Sequence, residues 1–193
     1  MSLNLSDLIW TRLWNSLDEA TRSRTAFTTL TLSTTGLDQR PKSRTIILRQ
    51  IDKDNGILRF ATDQRSRKIE EISAKPYVSL TGYDGNHSVQ IRLEGHALVN
   101  SNTEQTKSFF NTLKPHTHYL FTSNERPGTK ISHPKDVQFA EESDRTSAIA
   151  FQNFALVDIN LDAIEWLDLT ATPHHRIRFE KAGQPWSHQW LLA

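Results

Sequence analysis

Apolar residues recur along this chain at two spacings. Val89, Ile91, Leu93, Ala97 and Val99 alternate with Gln90, Arg92, Glu94 and His96, the period of a strand with one face in a core and the other polar. Leu8, Trp10, Leu13, Trp14 and Leu17 recur instead at helical spacing, which predicts an amphipathic helix over 7–17 capped by Ser6 or Asp7. Thr25–Thr34, rich in Thr, Leu and Phe and followed by Gly36, predicts a strand. A β-branched run over Arg44–Ile51 is joined by Asp52-Lys53-Asp54-Asn55-Gly56 to a second run over Ile57–Thr62, and Asn-Gly between two such runs signals a hairpin. Ile69 and Ile72, with Ser66 as N-cap and Pro76 as terminator, predict a short helix over 67–74. Tyr77–Tyr83 predicts a strand and Asp84-Gly85-Asn86 a turn.

Beyond the alternating strand, Ser101-Asn102-Thr103-Glu104 has the form of a capping box that opens a helix to about Leu113. Residues 120–147 are polar, with Pro127, Gly128 and Pro134, and are expected to form a long functional loop. A strand is expected from Ser147 to Leu161, and Ile177–Glu180 with Trp186–Leu191 should form a closing hairpin around Ala182-Gly183-Gln184. About seven strands and three helices, with short turns between most strands, predict a mainly β protein with peripheral α-helices and an antiparallel barrel.

Composition narrows the function more than the fold. The 193 residues suit a single domain over 1–193. With 23 basic and 22 acidic residues, net charge +1, no global field draws the chain onto nucleic acid or an anionic membrane. Any basic site must be local. Cysteine is absent, which excludes disulfides, thiolate metal sites and cysteine nucleophiles and agrees with a reducing compartment. Met1–Trp14 has polar and acidic residues and no apolar signal-peptide core, and no apolar run is long enough to span a membrane. A cytoplasmic location is therefore expected.

The local basic site is Arg44, Arg49, Arg65, Arg67 and Lys68, with Thr62 and Ser66 as hydroxyl partners. Arg67 and Lys68 fall in the first turn of the predicted helix, where unpaired N–H groups already carry partial positive charge. That arrangement is unfavourable alone and favourable around an anion such as a phosphate. Solubilising charge on hairpin ends is the plainer reading. Arg44 and Arg49 are five apart, so a regular strand points them to opposite faces. Gln90 lies on the polar face of the alternating strand, and its amide both donates and accepts. The short pairs His116-Thr117-His118 and His174-His175 have no carboxylate at standard ligand spacing, so no metal site is expected. Walker, Rossmann and nucleophile-elbow glycine patterns are missing as well. No residue is nominated as a catalytic acid or base.

In order and spacing, four strings together resemble the pyridoxamine 5'-phosphate oxidase-like family of flavoproteins: Pro41-Lys42-Ser43-Arg44-Thr45-Ile46-Ile47-Leu48-Arg49, Phe60-Ala61-Thr62, Ser66-Arg67-Lys68 and Gln90-Ile91-Arg92-Leu93-Glu94-Gly95. The likeness runs from Thr25 to Val99 and resumes over Trp166–Ala193, with a poor match between. It implies an FMN-binding antiparallel split β-barrel, a homodimer with FMN at the subunit interface, and an FMN-dependent oxidoreductase acting on a small amine or alcohol. Pyridoxamine or pyridoxine 5'-phosphate is the most concrete substrate. On matching positions, Arg44, Arg67 and Lys68 look like the phosphate ligands, assisted by Thr62 and Ser66. Thr45, Ile46 and Ala61 lie in the same FMN-binding strings. Arg49 stands where the family usually has a lysine near the flavin, Gln90 matches the glutamine on the isoalloxazine ring, and Trp166 and Arg176 match residues that complete the flavin pocket.

The chain also departs from the family pattern. Where the oxidase proper reads Arg-Leu-His-Asp-Arg, this chain has Thr172-Pro173-His174-His175-Arg176. The first arginine, a substrate ligand, is missing, and His174 is left as the substrate-binding candidate. A Tyr, Arg and Ser set that grips the vitamin's phosphate corresponds to Tyr119, Arg126 and Thr129 or Ser132 only with an insertion. Alternatives are a flavin-binding sensor or carrier without turnover, a related split barrel using haem or a deazaflavin, and, against the near-zero net charge, nucleic-acid binding.

Overall fold

The computed structural model describes residues 4–140, 144–181 and 186–193. An opening helix, α1 (Leu5–Arg22), buries Ile9, Leu13, Trp14, Leu17 and Ala20 along one stripe. Its cap is Asn4, ahead of the expected Ser6 or Asp7, and the Asn4 side chain accepts from the Asp7 N–H at 2.9 Å. Five strands follow with one short helix between them: β1 (Thr29–Thr35), β2 (Pro41–Asp52), β3 (Ile57–Asp63), α2 (Arg67–Ala74), β4 (Tyr77–Asp84) and β5 (Val89–Asn100). Gly56 closes the β2–β3 turn with φ 66°, a conformation that favours glycine. The chain then runs through α3 (Glu104–Thr112), α4 (Pro115–Tyr119), α5 (Asp144–Asn153), β6 (Phe154–Asp168), β7 (His175–Glu180) and β8 (Ser187–Leu191).

The strands lie in the order β3-β2-β1-β4-β5-β6-β7-β8, and β3 also pairs with β6. That extra pairing closes β1 to β6 into an antiparallel barrel. One edge of β6 is shared by two partners: residues 154–160 pair with β3, and residues 163–168 pair with β7. At the changeover β3 gives way to the β7–β8 hairpin, so the barrel splits there. Its interior holds Leu30, Leu32, Leu48, Leu58, Phe60, Ile91, Leu93 and Ile164, with α1 packed against the same cluster. A second cluster, Phe109, Phe110, Phe121, Ala150, Phe154 and Leu156, sits where α3 and α5 meet the start of β6.

The β5–β6 register shifts between Glu94 and Gly95, where Glu94 faces Ala163 and Gly95 faces Leu161. Asp162 is thus left over as a bulge, and the alternation of β6 slips by one residue. Val157, Ile159 and Leu161 face the core before it, and Ile164 and Trp166 after it. Gly95 is required at this point: a Cβ there would lie 2.1 Å from the Asn160 carbonyl oxygen.

Two expectations need correction. The strand predicted over 147–161 starts only at Phe154, because residues 144–153 are helical and place Ala150 and Phe151 in the second cluster. Beyond Leu161 the same strand continues to Asp168. It is covered on both faces for much of its length, so it lacks a clean apolar–polar alternation. Eight strands and five α-helices are present among the described residues, where seven and three were expected. β7 and β8 do pair as an antiparallel hairpin, but the turn expected at Ala182-Gly183-Gln184 lies outside the described residues. In the 120–140 stretch, a Ser123–Phe139 bridge and Tyr119 stacked on Phe139 at 4.7 Å fold the chain back on itself.

Candidate binding site

At one end of the barrel, β3 turns into α2 through Asp63-Gln64-Arg65-Ser66. Ser66 is the N-cap residue of α2, yet its hydroxyl makes no capping bond to the helix backbone. It accepts instead from the Lys68 ammonium at 3.1 Å, and the Thr62 hydroxyl accepts from the same ammonium at 2.9 Å. Among the described residues Lys68 makes no ion pair. Burial and the neighbouring Arg44 guanidinium hold its pKa below the ordinary lysine value, with Asp63 and Glu71 acting the other way. A cation solvated only by hydroxyls beside a second cation is a place where an anion is favoured.

Arg44 reaches the same end from β2, on the face that carries Ile46 and Leu48 into the barrel. Its guanidinium donates to the buried Glu71 carboxylate and to the Thr34 hydroxyl, each at 2.5 Å, and Thr34 donates to Glu71 at 2.6 Å. Glu71 and Thr34 therefore fix the Arg44 fork. Arg65 is tied off separately by Asp63 and by the Ser123 carbonyl at 3.0 Å.

The structure brings Arg44, Thr62, Ser66 and Lys68 together and separates the other candidates. Arg67 is exposed and lines a depression of about 240 Å³ with Leu37, Asp38, Lys42, Glu70 and Glu71, the last being the carboxylate that pairs with Arg44. Thr45 and Arg49 are exposed on the outward face of β2, opposite to Arg44, while Ile46 is buried in the core. Ala61 packs against the second apolar cluster.

On the outward sheet face, Gln90, Leu167 and Arg176 form one ladder row across β5, β6 and β7. The Gln90 amide is half-buried and makes no side-chain hydrogen bond among the described residues. One row along, Glu165 accepts from Arg92 and Arg176. Trp166 does not join this group. It is 2% exposed on the core side, with the Arg12 guanidinium over its ring at 5.5 Å. The bulge at Asp162 decides that phase, and Leu167 takes the outward position beside Gln90. His174 is exposed in the β6–β7 loop, with Nδ1 3.0 Å from the Ala171 carbonyl. Tyr119 and Arg126 are engaged elsewhere, by Phe139 and Glu70 respectively.

Thr34, Glu71, Arg92 and Glu165 escaped the sequence reading. Glu71 shares a helix face with Lys68 at three-residue spacing, which was a usable signal. Glu165 reads as an ordinary polar strand position, and only the pairing of three strands reveals its partners.

The split barrel thus carries a basic cluster at the β3–α2 junction and, among the described residues, an unengaged amide on its outward face. The chain matches the family described as pyridoxamine 5'-phosphate oxidase, FMN-binding domain, over residues 8–101. It is 25% identical over 169 residues to the dihydrophenazinedicarboxylate synthase of Pseudomonas chlororaphis, covering 84% of this chain and 73% of that protein. It is 33% identical over 100 residues to pyridoxine/pyridoxamine 5'-phosphate oxidase 2 of Arabidopsis thaliana, covering 51% of this chain and 50% of that protein. Among solved structures, a pyridoxamine 5'-phosphate oxidase-related, FMN binding protein from Nostoc punctiforme superposes with TM-score 0.75 at 22% identity, covering 99% of both chains. PhzG from Burkholderia lata, solved with tetrahydrophenazine-1-carboxylic acid, superposes with TM-score 0.68 at 21% identity, covering 97% of this chain and 92% of that one. The chain belongs to the pyridoxamine 5'-phosphate oxidase-like family, as a divergent member.

Proposed function

We propose that the chain binds FMN, with the phosphate held at Arg44, Thr62, Ser66 and Lys68, and acts as an FMN-dependent oxidoreductase on a small molecule. The observation that carries this reading is the half-buried Lys68 ammonium beside Arg44, held by two hydroxyls and, among the described residues, by no carboxylate. A phosphate monoester carries close to two negative charges at neutral pH, so it fits this donor set. Each charge-assisted hydrogen bond there contributes about 1.5–3 kcal/mol. The Gln90 amide, unengaged among the described residues, offers both a donor and an acceptor to the uracil-like edge of a flavin ring.

When bound, FMN supplies the redox chemistry, accepting a hydride equivalent and passing electrons to oxygen or another acceptor. The chain's own residues bind and orient. Arg44 and Lys68 hold the phosphate, Gln90 fixes the ring edge, and Arg176 places positive charge beside it. His174, exposed next to that row, contacts substrate. No side chain is assigned a proton transfer.

A homodimer accounts for the candidates that one chain leaves apart. Thr45, Ile47 (44% exposed) and Arg49 point out of the barrel from β2, and Gln90 with its cross-strand neighbour Tyr83 (53% exposed) points out from β5 and β4, with β1 between the two groups along the wall. In a two-fold dimer the β2 side of one copy can meet the β5 side of the other, burying these apolar side chains and placing FMN between subunits.

Two substrate classes follow. A vitamin B6 phosphate is the first, from the family's oxidases. A reduced, carboxylated phenazine is the second, because the relative that aligns with 84% of this chain is a dihydrophenazinedicarboxylate synthase and Thr172 replaces the family's substrate arginine. The test is the visible spectrum of the purified protein after FMN addition, followed by anaerobic mixing with pyridoxamine 5'-phosphate. A bound flavin that bleaches is expected. Failure to take up FMN would overturn the reading, and a bound flavin that stays oxidised would move the substrate to the second class.

A further inference from the structure

Glu165 is 5% exposed even though its strand position faces outward with Gln90 and Arg176. Part of its cover is two guanidinium groups. Oε1 accepts from Arg176 Nε at 3.1 Å and from Arg92 Nη1 at 3.3 Å, and Oε2 accepts from Arg176 Nη2 at 3.2 Å. The Nε–Nη2 edge of Arg176 is thus spent on one carboxylate, in the two-point geometry that fixes a guanidinium plane. Its remaining nitrogen, Nη1, reaches the Leu192 carbonyl at 3.4 Å. Arg92 is held by one nitrogen only, and its side chain is 48% exposed.

Two cations share one anion here, so the group carries a net charge of +1. Arg178, in the same row, pairs with both Glu94 and Glu180, which raise its pKa; that group carries a net charge of −1, so the whole network is balanced and the +1 is local to the end nearer Gln90. The excess charge lies one row from Gln90 and Leu167. A buried carboxylate between two arginines costs desolvation that a plain hydrophobic pair would avoid, so it points to a task beyond holding β5, β6 and β7 together.

We propose that Glu165 is a positioning residue for the flavin site: it orients Arg176 and, with Arg92 as its second arm, sets how much positive charge faces the ring. This rests on the FMN reading above. Flavin reduction adds electron density to the ring, so a nearby positive charge binds the reduced form more tightly than the oxidised form. Removing the Glu165 charge increases that preference. Removing the Arg92 charge decreases it. A purely structural role predicts no such opposition of sign.

The experiment measures FMN affinity and the two-electron midpoint potential in the wild type, Glu165→Gln, Glu165→Asp and Arg92→Gln. Glu165→Gln is expected to favour reduced over oxidised flavin by about tenfold, a rise of about 30 mV. Arg92→Gln is expected to shift it the other way by a similar factor, and Glu165→Asp to stay near the wild type. Potentials that do not move, or that move in the same direction in both charge variants, overturn the proposal. If Glu165→Gln does not fold, Arg92→Gln decides alone, and an unchanged potential overturns it. A wild type that takes up no FMN overturns instead the reading on which the proposal rests.

Discussion

Lys68 is the residue on which the binding argument turns, and its surroundings give two expectations. Replacing it with Ala removes the cation held by Thr62 and Ser66, so FMN affinity should fall at least tenfold, consistent with about 1.5–3 kcal/mol for a charge-assisted bond. Flavin fluorescence titration measures this. Arg67→Ala should cost less within one chain, because Arg67 is exposed and, among the described residues, makes no hydrogen bond to Arg44, Thr62, Ser66 or Lys68. The second expectation is a pH dependence. Lys68 titrates below 10.5 because it is buried and faces Arg44, and an anion binds the protonated form. Affinity should therefore hold while Lys68 is charged and fall as pH rises through its lowered pKa. Titration across alkaline pH tests this, and Lys68→Arg, charged throughout, should displace the fall to higher pH. At this scale the sequence was informative: Ser66, Lys68, Thr62 and Arg44 were nominated by residue type and spacing, and the structure gathers them.

At the scale of elements, β5 and β6 show what alternation reveals and what it hides. β5 obeys a period of two from Val89 to Ala97, so its core face could be read directly. β6 does not, because its pairing slips at Asp162 and both of its faces are covered. The family resemblance implies Trp166 for the flavin pocket, whereas after the slip its side chain lies in the core. Gly95 sits at the slip, with no room for a Cβ against the Asn160 backbone. Gly95→Ala should destabilise the protein by about 1–3 kcal/mol, the usual range for overpacking. Urea unfolding followed by tryptophan fluorescence measures it, and stability equal to the wild type would show that the two strands can separate at no cost. Residues 147–153, expected as strand, are helical for a related reason. Short apolar runs fit either period, and here packing of Ala150 and Phe151 into the second cluster selects the helix.

For the whole molecule, the question is what covers the outward sheet face. If a second copy does, as proposed, Ile47→Glu should shift the protein toward monomer and reduce FMN retention together, because binding and assembly would share one surface. Sedimentation velocity with and without FMN measures both, and a monomeric wild type that retains FMN would refute the coupling. By itself the sequence determined the residue chemistry of the anion cluster, the hairpins and the mainly β class, because turn residues, capping positions and alternation are local properties of the chain. Only the tertiary structure decided the closure of the barrel by β3 on β6, the side of β6 that holds Trp166, and the meeting of Arg92, Glu165 and Arg176. These depend on register between strands far apart in the chain, and a slip of one residue exchanges every inward side chain for an outward one.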